Sequence, residues 1–507
     1  MKDRPGKGEE AAGTVRLASR TGRWVLSCSV LASGMALLDG TIVNIALPRL
    51  GRDLDATLDV LQWTVNAYML TLTGLILLGG GLGDRYGRRR VFLVGVVWFA
   101  LASALCGVAP NSEVLIAARA LQGVGGALLT PGSLALVQST FRQEDRAKAV
   151  GAWSGLGGVA GAIGPFLGGW LVDGPGWRWI FLINLPLAAV VVFVALRHVP
   201  ESRDTEARGD FDVLGATLAA LSLAGVTYAL IAASGHEPAT AIVCAAAVGV
   251  VCGAVFVAVE HRRAHPMLPL DIFSVRLFSA VNVVTLFLYA AIGGVFFILP
   301  VQLQTAVGYS AFQAGVATLP ITLLMLVLSA PAGSLAQRIG PRLPLTLGPL
   351  IAAVGLLLLR RVGPESTSYV LDVLPAVVIQ GLGMSLFVAP LTATVLASVD
   401  VSRSGIASGV NNAAARAAQL LIVALLPLAV GLSAHGYTSP RAVDDAFGSA
   451  MFICAGLCAV SAALSWFLVE RSALDPAHEV AHPECTTNLG ISAPPLEPGE
   501  PGENKAP

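Results

Sequence analysis

Apolar residues fall in long blocks along this chain, and short polar connections separate them. A helix that crosses a bilayer needs about 20 mainly apolar residues. That ruler finds fourteen blocks, near 24–47, 60–80, 91–109, 114–137, 148–172, 179–196, 213–234, 239–259, 277–303, 310–335, 343–360, 369–396, 404–432 and 447–469. The pattern predicts an all-α integral membrane protein. The stretch 213–259 sets the number at fourteen rather than twelve, because two apolar runs there are broken only by "SGHEP" at 234–238. Residues 1–23 read as a polar cytoplasmic tail without the h-region of a signal peptide. Residues 470–507, rich in Pro, Gly and Glu and without periodicity, read as a disordered cytoplasmic tail.

Composition supports the membrane reading. The chain is 55% hydrophobic and 13% charged, whereas a soluble domain carries about 25% charge. Abundant Gly suits close helix packing in lipid, and the Gly, Ala and Arg content suits a bacterial plasma (inner) membrane. Lys+Arg 32 equals Asp+Glu 32, so net charge points to no partner and to no nucleic acid. Placement is more telling. With both termini cytoplasmic, 24 of the 32 cations fall in tails and inner loops, six in outer loops (Arg49, Arg52, Arg178, Arg360, Arg361, Arg441) and two, Arg119 and Arg416, inside spans. The seven cysteines show neither metal-ligand spacing nor a secreted disulfide framework. Neither a metal nor another cofactor is expected.

The chain also repeats itself. "GGLGDRYGRR" (80–89) follows the second block and "GSLAQRIGPR" (333–342) the tenth, at an offset of 253; "QGVG" (122–125) matches "QGLG" (380–383) at 258. Two matches at nearly equal offsets imply a duplicated six-span unit, as in many transporters. The organisation is then a six-helix bundle at 24–196, two inserted spans at 213–259 and a second six-helix bundle at 277–469. Asp84 becomes Gln337 in the second copy and Arg119 falls opposite Val377, so the scaffold as such needs neither charge.

These stretches carry a resemblance. "GGLGDRYGRRR" (80–90) resembles the loop 2–3 motif of the major facilitator superfamily, "RALQG" (119–123) its fourth-span motif, and "GPFLGG" (164–169) its antiporter motif. "LLDGTIVNIALP" (37–48) and "WRWIFLINLP" (177–186) resemble stretches of the fourteen-span drug:proton antiporters. One small departure is Ala160, four residues before Gly164. The resemblance covers about residues 24–470 and implies a major-facilitator-type fold of two six-helix bundles plus two extra central helices. It further implies a cytoplasmic gate at Gly80, Asp84, Arg85, Gly87, Arg88 and Arg89, with Arg85 or Arg89 pairing to Glu144 or Asp145. Gly164, Pro165, Gly168 and Gly169 would bend and seal the fifth span. A solvated positive-inside loop is the plain alternative for the first of these, and small-residue packing for the second.

Asp39 is the only one of 32 acids well inside a span. An ionised carboxylate at mid-bilayer costs about 2.5–3.5 kcal/mol on the mildest scale. It lies roughly 12 Å from the outer end of the first span and Arg119 roughly 8 Å inside the fourth, and the family fold sets those spans side by side. Paired with Arg119, Asp39 keeps its charge cheaply; unpaired, it is driven to its neutral, protonated form. Alternation between the two makes a proton carrier, against the alternative of a fixed ion pair. On the thirteenth span Ser408, Asn412, Arg416 and Gln419 recur at helical spacing as a polar stripe. That stripe either contacts substrate or bonds to a neighbouring helix. Asn44 and Gln122 are further cavity candidates, and Phe296, Phe297 and Trp153 are potential aromatic walls.

The reading that results is a monomeric, proton-driven exporter of drugs, antibiotics or other amphipathic small molecules. A proton-coupled uptake carrier for a nutrient or metabolite on the same fold is the alternative. Nothing in the motifs supports an enzyme.

Overall fold

The computed structural model describes residues 15–203, 212–235, 237–263, 266–365, 368–400, 403–433 and 436–474. Its α-helices are α1 (Arg20–Asp53), α2 (Leu58–Tyr86), α3 (Arg88–Gly107), α4 (Ser112–Thr140), α5 (Gln143–Asp173), α6 (Trp179–Leu182), α7 (Asn184–His198), α8 (Val213–Ala232), α9 (Ala239–Arg262), α10 (Arg276–Val301), α11 (Ala311–Ile339), α12 (Arg342–Leu359), α13 (Leu374–Ala397), α14 (Ser404–Ala429) and α15 (Pro440–Leu468). With α6 and α7 taken together, they supply 14 segments long and apolar enough to cross a membrane. Several helices outrun their apolar blocks. α1 passes through Pro48 to Asp53, because a helix satisfies its own backbone beyond the lipid as well as within it. The N-terminal segment assigned to a tail is anchored from residue 15 onward: the Val15 N–H donates to Thr140 (3.2 Å) and the Val15 carbonyl accepts from Arg142 (3.2 Å). Most of the C-terminal tail, 475–507, lies outside the described residues.

Helices α1–α7 pack as one bundle and α10–α15 as another. The hairpin α8–α9 lies against α2 of the first bundle and α14 of the second through α8, while α9 touches chiefly α8. Trp63 on α2 meets Tyr228 on α8, with ring centroids 6.2 Å apart. The duplication is visible in the backbone. Gly87 (φ 105°) ends α2 and Gly340 (φ 82°) ends α11, one offset of 253 apart, and this left-handed region favours glycine.

Hydrogen bonds tie the bundles together at one end. At the end carrying the α1–α2 loop, the Asp173 carboxylate on α5 accepts the Ala311 and Phe312 N–H groups of α11 (3.2 and 2.8 Å). The Gln62 amide donates to the carbonyls of Val423 and Ala424 (2.7 and 3.1 Å). Gln304 donates to the Ile45 carbonyl (2.9 Å), and the Tyr437 hydroxyl to that of Ala56 (2.5 Å). Farther toward the other end, which carries the start of α1 and the close of α15, α2 and α14 still approach closely, since a Cβ on Gly409 would lie 3.0 Å from Leu77. The α1–α2 end is thus closed by hydrogen bonds between the bundles.

Asp173 caps the first amides of α11, where helix donors have no internal partner. Asp173→Ala removes about 1 kcal/mol from the closed end. Spin labels on α5 and α11 are expected to show a several-fold larger population of the longer distance there. An unchanged distance distribution shows that the cap does not hold that end.

Candidate functional site

Asp39 sits near the middle of α1, with 0% of the residue exposed, and Arg119 on α4 is 1% exposed. The structure joins them directly: Arg119 Nη1 donates to Asp39 Oδ2. Two further donors reach the same carboxylate. Gln122 Nε2 donates to Asp39 Oδ1 (2.8 Å), and Asn184 Nδ2 to the same oxygen (3.2 Å). Arg119 in turn donates from Nη1 to Gln122 Oε1 (2.7 Å) and from Nε to the Thr64 carbonyl (3.0 Å). Ser103 accepts from Gln122 (3.1 Å) and Asn184 (3.0 Å) and donates to the Phe181 carbonyl (2.9 Å). The guanidinium lies over the Tyr68 ring, 4.4 Å from its centroid.

Local sequence explains this convergence. Pro186 has no N–H to give to the Leu182 carbonyl, so the sixth span breaks between α6 and α7 at Ile183. Asn184 opens α7 at that break with its amide turned to Asp39. Gln122 lies at i+3 from Arg119, one face of one helix, so a single turn of α4 supplies both groups. A hydrogen bond to a charged group contributes about 1.5–3 kcal/mol net. Three such donors offset the several kcal/mol that an ionised carboxylate costs in a dry interior.

Elsewhere the predicted residues fall as follows. Gly164 and Gly168 of α5 let α1 approach, since a Cβ there would strike Thr41 and Ile42 respectively. Gly169 admits the backbone at Ala311 and Phe312 of α11, and the Pro165 carbonyl lies against Gly315. This stretch therefore packs α5 on α1 and, at the closed end, on α11. Gly80 faces Pro131 of α4. Asp84 pairs with Arg88 across the α2–α3 turn (2.7 Å). The expected partners of Arg89 are corrected: it engages neither Glu144 nor Asp145. Its N–H donates to Glu201 (3.0 Å) and its Nη1 to the Val199 carbonyl (2.9 Å). Arg90 also pairs with Glu201 (3.7 Å). The chain leaving α7 lays Glu201 against the start of α3, whereas Asp145 accepts the Leu17 N–H (3.0 Å). Arg85 stacks near Tyr86, 5.9 Å from its centroid.

The structure does not bring the remaining candidates to Asp39. Asn44 has a buried Oδ1 with no partner. Asn412 is exposed and donates to the Ser408 carbonyl (2.9 Å). Arg416 on α14 makes no ion pair or hydrogen bond among the described residues. Trp153 donates to Ser33 (2.8 Å), Phe297 is buried, and Phe296 is partly so. No group of three or more His, Cys, Asp or Glu converges as a metal site among the described residues. Asn184, Ser103 and Tyr68 are members of the node that the sequence pattern did not single out. Asn184 carried a signal, as a lone amide within an apolar run; Ser103 and Tyr68 carried none.

Comparison with known proteins gives a consistent picture. The family model described as Major Facilitator Superfamily matches residues 29–259 and 281–495. The puromycin resistance protein pur8 of Streptomyces alboniger is 35% identical over 460 residues, covering 88% of this chain and 91% of its own. The multidrug efflux pump LfrA of Mycolicibacterium smegmatis is 34% identical over 410 residues, 80% of either chain. Among solved structures, a D-xylose-proton symporter superposes with TM-score 0.63 at 14% identity, covering 89% of this chain and 98% of that one. That last likeness concerns the fold.

Removing one partner of a buried pair strands the other, at about 3–5 kcal/mol. Arg119→Gln is expected to lower the melting temperature in detergent strongly, and Asp39→Asn in the same chain to restore most of the loss. A double variant no more stable than Arg119→Gln alone shows that the two side chains are not energetically coupled.

Proposed function

We infer the function of this chain from its family: it belongs to the Major Facilitator Superfamily, and it is a multi-pass membrane transporter of small molecules. Within that family we read it as a drug or antibiotic exporter driven by inward proton flow. The observation that carries this reading is the node around Asp39, the only carboxylate well inside a span, bonded to a guanidinium on another helix. The printed names of its relatives, a puromycin resistance protein and a multidrug efflux pump, favour export over uptake.

The positive-inside bias favours the terminal end in the cytoplasm and the hydrogen-bonded end outside, so we read the structure as closed to the outside, the substrate-loading state of a plasma-membrane carrier with both termini cytoplasmic. Substrate enters the cleft between the bundles from the cytoplasm or inner leaflet. When the bundles rock and the outer end opens, a proton from outside reaches Asp39. The neutral carboxyl then releases Arg119, and substrate leaves outward. Return to the inward-open state brings Arg119 back against the carboxyl, which favours the charged form and discharges the proton inside. Gln122 and Asn184 serve both states, since an amide N–H donates to a carboxylate and to the carbonyl oxygen of a carboxylic acid alike. The chain acts as a monomer, because one polypeptide supplies both bundles. It is a carrier rather than an enzyme, with the proton gradient as its energy source and no cofactor.

Everted vesicles energised with an acidic interior are expected to accumulate a fluorescent drug when they carry the natural chain. Vesicles carrying Asp39→Asn are expected to match vesicles without the protein. Full gradient-driven accumulation by that variant rejects the proposed coupling.

A further inference from the structure

The charges inside the spans do not balance. Asp39 is the one deep acid, while Arg119 and Arg416 are two deep cations, and Arg119 takes the only carboxylate. Arg416 is left over. It lies 12 residues into α14 (Ser404–Ala429), about 18 Å from either end, and so near mid-bilayer. An isolated cation at that depth is costly and marks a functional pathway.

The surroundings of Arg416 are built for a ligand that brings its own negative charge. Its Nε is buried with no partner. Its terminal nitrogens also bond no described protein atom, and the residue as a whole is only partly buried. The phenols of Tyr289 on α10 and Tyr68 on α2 lie within its electrostatic reach, and no carboxylate among the described residues does. One helical turn to either side along α14, Asn412 and Gln419 carry further polar heads on the same stripe. The neighbouring amide is committed elsewhere: Asn411 donates to Asn282 (3.2 Å) and Thr285 (2.8 Å) and ties α14 to α10. Asn411 thus serves packing, whereas Arg416 on the neighbouring stripe is left without a partner among the described residues. Tyr68 touches Arg119 on one side and lies in reach of Arg416 on the other, so the second bundle's free cation borders the first bundle's proton node.

We propose that Arg416, with Tyr289 and the Asn412 and Gln419 amides, is the binding subsite for an anionic oxygen of the exported compound, a carboxylate, sulfonate or phenolate on an aromatic body. A guanidinium presents a planar fork of donors that matches such oxygens two at a time. The proposal rests on the exporter reading, and assigns its substrates an acidic rather than a cationic character.

Two fluorophores test it: anilinonaphthalene sulfonate, which carries the anion, and N-phenylnaphthylamine, the same aromatic body without it. Binding is titrated on the full chain in nanodiscs, with protein-free nanodiscs as the blank. The natural chain is expected to bind the sulfonate more tightly than the amine. Arg416→Gln is expected to weaken the sulfonate about ten-fold or more, the worth of a charge-assisted hydrogen bond, while leaving the amine within about two-fold, which also shows that the variant is folded. Arg416→Lys recovers part of the loss, since it keeps the charge and loses the fork. A natural chain that binds both dyes alike or neither, or an Arg416→Gln variant that binds the sulfonate as before, overturns the proposal. The titration uses no gradient and no transport, so failure of the exporter reading would show in vesicles and leave this result standing.

Discussion

One carboxylate sealed away from water organises this molecule. Asp39 is tolerable where it stands only because Arg119, Gln122 and Asn184 all give it protons to share, and those donors come from α4 and from the break between α6 and α7. Four separate pieces of the first bundle, α1, α3, α4 and the α6–α7 junction, are positioned by what the charge requires. A buried ion pair contributes little to stability against a hydrophobic replacement of the same shape, so stability is a poor reason for it to exist. On the proposed function its value lies in being switchable, because a carboxyl is favoured ionised beside a guanidinium and neutral without one.

Switching needs an element with two arrangements, and the bundle interface supplies it. Hydrogen bonds through Asp173, Gln62, Gln304 and Tyr437 tie the two bundles together at the α1–α2 end. None of these is an ion pair between partners buried on both sides. They are cap and amide bonds of about 1–3 kcal/mol each, and on the proposed function they exchange for others when the bundles rock. The glycines and Pro165 of α5 bring that helix against α1 beside Asp39 and against α11 at the seal. One helix thereby touches both the helix that carries Asp39 and the bonded end of the bundle interface.

Much of this was legible in the residues. The apolar blocks gave fourteen spans because hydrophobic length is a physical requirement of the bilayer, and the 253-residue offset is visible again as the matched left-handed turns at Gly87 and Gly340. Asp39 and Arg119 stood out since charge in lipid is costly enough to be conspicuous. The partners of Arg89 were not legible. Glu144, Asp145 and Glu201 are all acids near the same membrane face, and only the path of the chain after α7 decides among them. Ser103 and Tyr68 look like ordinary interior residues in any apolar run; their part in the node comes from three-dimensional neighbours that spacing along one helix does not encode. Asn184 lies between: its polarity was visible, but its direction followed from a helix break at Ile183.

The central claim is that Asp39 exchanges a proton during turnover, and the most direct measurement is of that proton. Purified protein in weakly buffered detergent solution, mixed with a transported drug and a pH indicator, is predicted to release protons on binding when Asp39 is present and to release none as Asp39→Asn. Equal release from both proteins, or none from the natural chain at any pH at which it transports, contradicts the account.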